Sequence, residues 1–275
     1  MACDPELAKL LSKILACRTA TLPGERLFFS SSAGHHLGYV LPGFAATLAA
    51  VSPDIAVTDR VTLAAEALPR LNEIAKVAGA RMRGENFDVR ETVDGPVLTV
   101  LDRGALPSFG VIGVGVHLNG FVRRPDGVYL WVAKRAANKK LDPGKLDNLV
   151  AGGVPAGLSP FETLLKEASE EAALPADLAR QAVPVGQFAY AMERPEGLRR
   201  DVIFAYDLEL PESFVPVPAD GEVEGFSLWP AERVLEAVRE EQNFKFNVNL
   251  VLIDFLLRFG LLADPAGVLR AALDS

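Results

Sequence analysis

Cysteine is almost absent: Cys3 and Cys17 are the only two in 275 residues, and both fall in the first helix-like segment. Neither a disulfide framework nor a zinc site is indicated, and a reducing, cytoplasmic setting fits. Histidine is scarce too. His35 and His36 are adjacent, so on a strand they would face opposite ways and read as ordinary surface or edge residues. Long apolar runs are missing. The most apolar stretch, 248–262, is short and carries Asp254 and Arg258, so no membrane span is expected. Asp4, Glu6, Lys9 and Lys13 interrupt the apolar positions near the N-terminus, a pattern unlike a signal peptide. Positive charge is also short. The net charge of −8 argues against nucleic acid as the main partner, though not against a nucleotide met through a metal. There is no internal repeat and no low-complexity tract. What is present is 49 % apolar residues, enough for a substantial core in one large domain or two modest ones.

Along the chain, residues 5–17 predict an amphipathic helix, with Leu7, Leu10, Leu11, Ile14 and Leu15 on one side. Residues 27–29 and 36–40 predict two strands, 42–50 a short helix, and 62–78 a longer one. Strands at 87–93 and 97–101 would pair across Asp94-Gly95. This front part, to about residue 108, reads as a small α+β domain without metal-ligand or nucleophile spacing. From Phe109 onward the pattern changes. Strands are expected at 113–122 and 128–134, then at 183–192 and 201–210 joined by a basic loop from Arg194 to Arg200, and at 222–228. Helices are expected at 230–240 and 248–259, the latter stopped by Gly260. Strands on both sides of one central helix, followed by late helices, predict a sheet sandwiched between helices.

The central stretch is 151–174, a glycine-rich loop running into a helix. Ser159 suits the N-cap, Pro160 the first helical position, and Glu162 completes a capping box. Phe161, Leu165, Ala168 and Ala172 share one face, while Glu167, Glu170 and Glu171 share another. Three carboxylates on one turn repel one another, and a bound divalent cation would remove that repulsion. A site of carboxylates without histidine or cysteine suits magnesium or manganese. The bland alternative is a solvated acidic face balanced by Lys166. Gly152, Gly153 and Gly157 weigh against it, because they let the backbone come close to a ligand.

This stretch resembles the Nudix box of the MutT-like hydrolases. Gly152 takes the first glycine of the pattern, and Lys166-Glu167-Ala168-Ser169-Glu170-Glu171-Ala172-Ala173-Leu174 takes its helical half. Leu158 stands where the pattern has its first glutamate, Lys166 replaces arginine, and Ala173 replaces the last glycine. The likeness extends to Trp131–Arg135, Lys139–Asn148, Asp220–Glu224, Phe244–Asn247 and the junction Asp102–Phe121. These are similar to a Nudix subfamily related to a fungal thiamin pyrophosphokinase fusion protein, whose members carry an extra N-terminal domain. The resemblance implies an α+β chain: a Nudix α/β/α sandwich at 109–275 preceded by an accessory domain at 1–108.

It also implies a magnesium- or manganese-dependent hydrolase of a small-molecule diphosphate, with thiamin diphosphate or an oxidised analogue as substrate. Glu167, Glu170, Glu171 and the carbonyl of Gly152 would hold the metal. Glu222 or Glu224, expected on one face of a strand, would orient or deprotonate the attacking water alongside Glu170 and Glu171. Arg135, Lys139, Lys140, Arg194, Arg199 and Arg200 are the cations expected to meet the phosphates. His117, in a valine-rich strand, reads first as a core or supporting histidine. Trp131, Phe188, Tyr190, Phe204 and Tyr206 read first as core. The alternatives are a hydrolase of nucleotide derivatives such as ADP-ribose and a non-catalytic binding module. A Nudix-type isomerase would need a cysteine that the back half lacks. Neither nucleic acid nor membrane is an expected partner, and a homodimer stays open.

Overall fold

The computed structural model describes residues 4–139, 141–240 and 243–275. The first helix, α1 (Pro5–Leu15), is capped by Asp4, whose side chain accepts the Glu6 N–H at 3.0 Å. A four-stranded sheet follows, built from β1 (Leu27–Ser31), β2 (His36–Val40), β3 (Ile55–Val57) and β4 (Val61–Leu63), with α2 (Pro42–Val51) between β2 and β3. Its order is β2-β1-β4-β3. The single helix expected over 62–78 is instead strand β4, a 3₁₀ segment over 65–70, and then α3 (Leu71–Val77). Pro69 accounts for the break, since it has no N–H to give an α-helix. β5 (Asn86–Val89) and β6 (Thr99–Asp102) pair as expected, but across a connection longer than Asp94-Gly95. The short α4 (Leu106–Phe109) ends this front unit.

The back part is built on one large sheet. Its strands are β7 (Ile112–Arg124), β8 (Gly127–Arg135), β9 (Leu146–Asp147), β10 (Val150–Gly153), β11 (Val183–Arg194), β12 (Gly197–Glu209) and β13 (Val223–Pro230). The main path runs β11-β12-β7-β8-β13, with β10 paired to β7 and β9 to β8. Between β10 and β11 come α5 (Pro160–Ala172) and the short α6 (Ala176–Ala179), and after β13 come α7 (Ala231–Glu240), α8 (Val248–Arg258) and α9 (Val268–Asp274). One face of the sheet packs on α5 through Val116, Leu118, Leu164, Ala168 and Tyr206. The other packs on α7, α8 and α9 through Phe121, Leu130, Val234, Val251 and Phe255. This is the expected helix–sheet–helix sandwich.

One packing detail crosses the division drawn at residue 108. Leu10, Ile14 and Cys17 are buried in the same cluster as α7, α8 and α9, not among the front-unit residues. The amphipathic face of α1 thus completes the back core, while residues 27–111 supply the separate front core. Burial pushes the Cys17 thiol up to about 12, so it stays protonated and inert; Cys3 lies outside the described residues. Among the described residues, no helix is long and apolar enough to cross a membrane.

Helix α5 begins with the expected capping box: the Ser159 Oγ accepts the Glu162 N–H, and the Glu162 carboxylate accepts the Ser159 N–H. It ends at Ala173 in the left-handed region, with φ 49°. That conformation crowds an L side chain at a cost of roughly 1–2 kcal/mol, which a glycine avoids. Ala173 is exposed, so nothing is lost by removing its methyl. Ala173→Gly is expected to raise unfolding stability by about 1 kcal/mol, read as a higher denaturant midpoint at unchanged slope; an unchanged or lower midpoint contradicts the assignment of strain.

Candidate active site

The carboxylates of α5 reach the sheet because strand β10 is stripped of side chains beside them. A Cβ on Gly152 would lie 2.5 Å from the Glu167 Cγ, so only glycine lets the Glu167 side chain rest against the backbone. Glu171, one turn further, lies under the same strand and accepts the Ala151 N–H at 2.9 Å. It is only 5 % exposed. Burial pushes its carboxyl up to about 8, Ala151 offsetting only part and the charge of Asp147 adding to the rise. Burial raises Glu167 as well; Lys166 offsets part of the rise, and Glu170, Glu222 and Glu85 add to it. Glu170 lines the rim, half exposed, and its carboxylate accepts from Lys166 at 2.5 Å.

Glu171 lies against a small void that Arg135, Ala151 and Glu222 also line, while Glu167 and Glu170 line a cavity of about 680 Å³. Asp220 and Glu222 come to it from the loop before β13, and carboxylate oxygens of Glu171, Asp220 and Glu222 lie within 4.8 Å of one another. Asp220 also accepts the Glu222 N–H at 2.8 Å through its own side chain, which fixes the loop. Sequence reasoning missed Asp220 as a site residue, although it opened a quoted segment. Glu222 and Glu224 do not share a strand face. β13 starts at Val223 and its register slips between Val223 and Gly225, so the alternation assumed from their spacing fails. Glu222 lines the cavity beside Lys139, with which it pairs. Burial pulls its carboxyl up, but Lys139 outweighs this and holds it below the ordinary range. Glu224 instead pairs with Lys134 at 2.8 Å and accepts the Ala137 N–H at 3.1 Å, and it is not among the cavity-lining residues.

The expected phosphate-binding cations divide. Arg135 lines the cavity but is committed elsewhere: it bonds Asp147 at 2.7 Å and the Leu141 and Asp142 carbonyls at 2.9 and 3.1 Å. Its structural duty is to fold residues 141–147 against β8. Lys140 lies outside the described residues. Arg194 and Arg200 are not in the cavity wall: Arg194 lies over the Phe246 ring, and Arg200 lies over Tyr39. The basic loop expected over 194–200 is a tight hairpin, and Arg199 and Arg200 fall on strand β12, where alternation sends them to opposite faces. Arg199 is the one that lines the cavity, held by two bonds to Asp201 at 3.0 and 2.8 Å. Asp201 in turn accepts the Tyr190 hydroxyl at 2.6 Å, so Tyr190 lines the site rather than serving the core alone.

Two buried groups complete the floor. His117 donates from Nδ1 to the Asn148 side-chain oxygen at 2.7 Å, and burial, helped by the nearby Lys245 charge, pulls its pKa down to about 4. It is therefore neutral near pH 7, with Nε2 left as an acceptor. Lys245, missed by sequence reasoning although its segment was quoted, lies 3.6 Å from Asp147 and lines the cavity. Burial would raise Asp147, but Lys245 foremost among its neighbours holds it below the ordinary range.

The front unit closes the other side. A Cβ on Gly153 would fall 2.5 Å from the Phe87 ring, so Phe87 of β5 seats directly on the glycine strand. The Ala156 N–H donates to the Asn86 carbonyl at 2.7 Å, tying the loop after β10 to β5. Through this docking Arg81, Arg83, Glu85, Phe87 and Arg103 enter the cavity wall. None was a site candidate from the sequence.

A family model described as NUDIX domain matches residues 114–249. The chain is 42 % identical over 204 residues to a protein of Arabidopsis thaliana named Nudix hydrolase 20, chloroplastic, an alignment covering 74 % of this chain and 54 % of the relative. It is 44 % identical over 181 residues to Nudix hydrolase 24, chloroplastic, of the same plant, covering 66 % of this chain and 50 % of the relative. The chain thus spans about half the length of the curated relatives it matches. Among solved structures, DR0079 from Deinococcus radiodurans aligns over 62 % of this chain and 98 % of its own, at 21 % identity and a TM-score of 0.45.

The buried Glu171 carboxyl has a measurable signature. Between its ordinary value of 4.5 and about 8, the folded state keeps a proton that the unfolded state has lost. Stability of the metal-free protein should therefore fall as pH rises through that window. Glu171→Gln, which can still accept from Ala151, is expected to flatten the fall. Thermal unfolding in chelator at a series of pH values checks this; parallel profiles for wild type and variant would contradict it.

Proposed function

Residues 114–249 of this chain form a Nudix domain, and from that premise we propose that the protein is a divalent-metal-dependent hydrolase of an organic diphosphate. The observation that carries the reading is a cavity lined by the carboxylates of Glu167, Glu170, Asp220 and Glu222 together with the cations Lys139 and Arg199. A cavity of about 680 Å³ lies in the range of small-molecule sites, roughly 300–1,000 Å³.

The residues fit magnesium or manganese. The donor set is oxygen only, and a 5 % exposed carboxylate, Glu171, has no cation paired with it among the described residues. Glu167, Glu170 and Glu171 would hold the ion, with Glu222 and Asp220 facing them and the Gly152 carbonyl at the strand edge. A divalent ion bound there supplies Lewis acidity toward the diphosphate oxygens.

The chain's own residues do the rest. Glu222, kept ionised beside Lys139, accepts a proton from the attacking water. The oxygen of that water bonds to one phosphorus as the bridging P–O bond breaks, giving an organic monophosphate and inorganic phosphate. Lys139 and Arg199 offer positive charge to the phosphate oxygens, and Arg135, Asp147 and Lys245 hold the floor that positions them. Tyr190, Leu106, Pro107 and Ile203 offer the organic group an apolar lining.

The finer substrate in this reading is thiamin diphosphate or an oxidised analogue. Its support is the resemblance of 131–148, 220–224 and 244–247 to the thiamin-related Nudix subfamily. A reducing compartment is part of the same proposal.

Phosphate release with magnesium, from thiamin diphosphate, its oxidised analogues, ADP-ribose and dinucleoside polyphosphates at matched concentrations, tests both levels. Thiamin compounds are expected to lead. A clear preference for the nucleotides removes the thiamin choice and leaves the hydrolase standing. Glu171→Gln and Glu222→Gln are each expected to lower kcat by at least about 100-fold while the melting profile stays cooperative; near-normal turnover in both would place the chemistry elsewhere.

A further inference from the structure

Three arginines of the cavity wall come from the front unit and have no part in the reading above. They converge because one carboxylate organises their backbone. Asp102, 3 % exposed, accepts the Arg83 and Gly104 N–H groups through Oδ1 and the Gly84 N–H through Oδ2, each at 2.7 Å. A Cβ on Gly104 would meet the Arg81 carbonyl at 2.6 Å, so the chain after β6 crosses the 81–84 segment at contact distance. Arg81, Arg83 and Arg103 are thereby fixed side by side.

Their charges are unevenly satisfied. Arg103 pairs with Glu85 at 2.9 Å and lies 5.5 Å from the Phe87 ring centre. Arg81 and Arg83 make no ion pair among the described residues. Arg83 has mostly like charge near it: burial lowers its pKa, Arg103, Arg81 and Arg199 lower it further, and Glu196 offsets a smaller part. Like charges gathered on a cavity wall repel one another, and a bound anion would relieve that repulsion.

We propose that Arg81, Arg83 and Arg103 bind the terminal phosphate of the substrate and make this site selective for diphosphate monoesters over diphosphate diesters. The inference rests on the hydrolase reading for its substrate and on the front-unit geometry for its selectivity. A free terminal phosphate carries close to two charges near neutral pH and three acceptor oxygens, as a phosphate monoester does. Each phosphate of a diester-linked diphosphate carries one charge and has an ester on one side and the bridging anhydride oxygen on the other. Guanidinium forks match the first and leave the second under-neutralised. Arg103 lies beside the acidic group: its guanidinium carbon is 3.5 Å from where a Cβ on Gly153 would sit, one residue from the glycine against which Glu167 rests, so a diphosphate held by the metal-binding carboxylates is within reach of the arginines.

The test pairs ADP with ADP-ribose, which share an adenosine and differ in whether the terminal phosphate is free. Wild type is expected to favour ADP. The double variant Arg81→Gln/Arg83→Gln, at two exposed positions, is expected to lose at least tenfold in kcat/KM on ADP, chiefly through KM, and to narrow the ADP to ADP-ribose ratio by a similar factor. An unchanged ratio overturns the proposal. A second measurement is independent of turnover: calorimetric titration with inorganic diphosphate in chelator, where wild type should bind and the double variant at least fivefold more weakly. Equal affinity, or no binding by wild type, also overturns it. Binding that depends on the arginines without hydrolysis of any diphosphate would sink the hydrolase reading and keep the phosphate site. Hydrolysis that ignores the arginines would do the reverse.

Discussion

The approach of α5 to β10 is the constraint on which the site depends. With a side chain at residue 152 the Glu167 side chain would have to leave the strand, because a Cβ there would lie 2.5 Å from its Cγ and 2.6 Å from its Cδ. At the observed distance Glu171 is driven under the strand with one backbone N–H for company. One charge-assisted hydrogen bond is worth roughly 1.5–3 kcal/mol, whereas desolvating a carboxylate costs several kcal/mol. The deficit appears as the raised Glu171 carboxyl. The fold therefore stores an electrostatic imbalance at one place, and the arrival of a positive ion is what would relieve it. Local packing and the proposed chemistry are one fact seen from two sides.

The remaining buried charges are arranged so that this imbalance does not spread. Asp147 is balanced by Arg135 and Lys245, brought from β8 and from the segment before α8. His117 is neutral and tied through Asn148 to Asn119, which donates to Asp207, itself bonded by Arg258 of α8. That chain of hydrogen bonds runs beneath the cavity floor from β7 to the helices of the far layer. Each member is partnered, which fixes the side chains that line the site. Around the cavity, the charged groups that make no ion pair among the described residues include Glu171, Asp220, Arg81 and Arg83.

Much of this was legible because it obeys local rules. The capping box at Ser159 and Glu162, the carboxylate spacing on α5 and the strand alternation of β7, β8, β11 and β12 each need only neighbouring residues. What escaped reading was non-local or irregular. Arg81, Arg83 and Arg103 occupy segments without periodicity, and only the carboxylate of Asp102 and the seat of Phe87 on Gly153 carry them to the cavity. Glu222 and Glu224 were assigned to one face because an uninterrupted strand was assumed; the register slip after Val223 separates them. Arg199 and Arg200 were grouped as a loop because their charge hid the alternation of β12. The helix expected over 62–78 ignored Pro69, a breaker in plain view. The amphipathic face of α1 was recognised, but periodicity says which side is apolar and not which core receives it.

The division of labour between the two units follows from these contacts. The carboxylates are mounted on a helix and a sheet whose positions are fixed by packing on both faces, as a group that must hold reacting atoms requires. The arginines ride on short connections of another unit, which meets the glycine loop through the Phe87 ring and one backbone hydrogen bond and meets β12 through Pro107 against Gly197. On the proposed reading, changing those connections would alter which anion is admitted without disturbing α5 or the strands beneath it, and the reaction class would belong to the back part of the chain and the choice of phosphate group to the unit that leans against it. Because α1 is packed into the back core, that second unit is held at both ends, by α1 before it and by β7 after it.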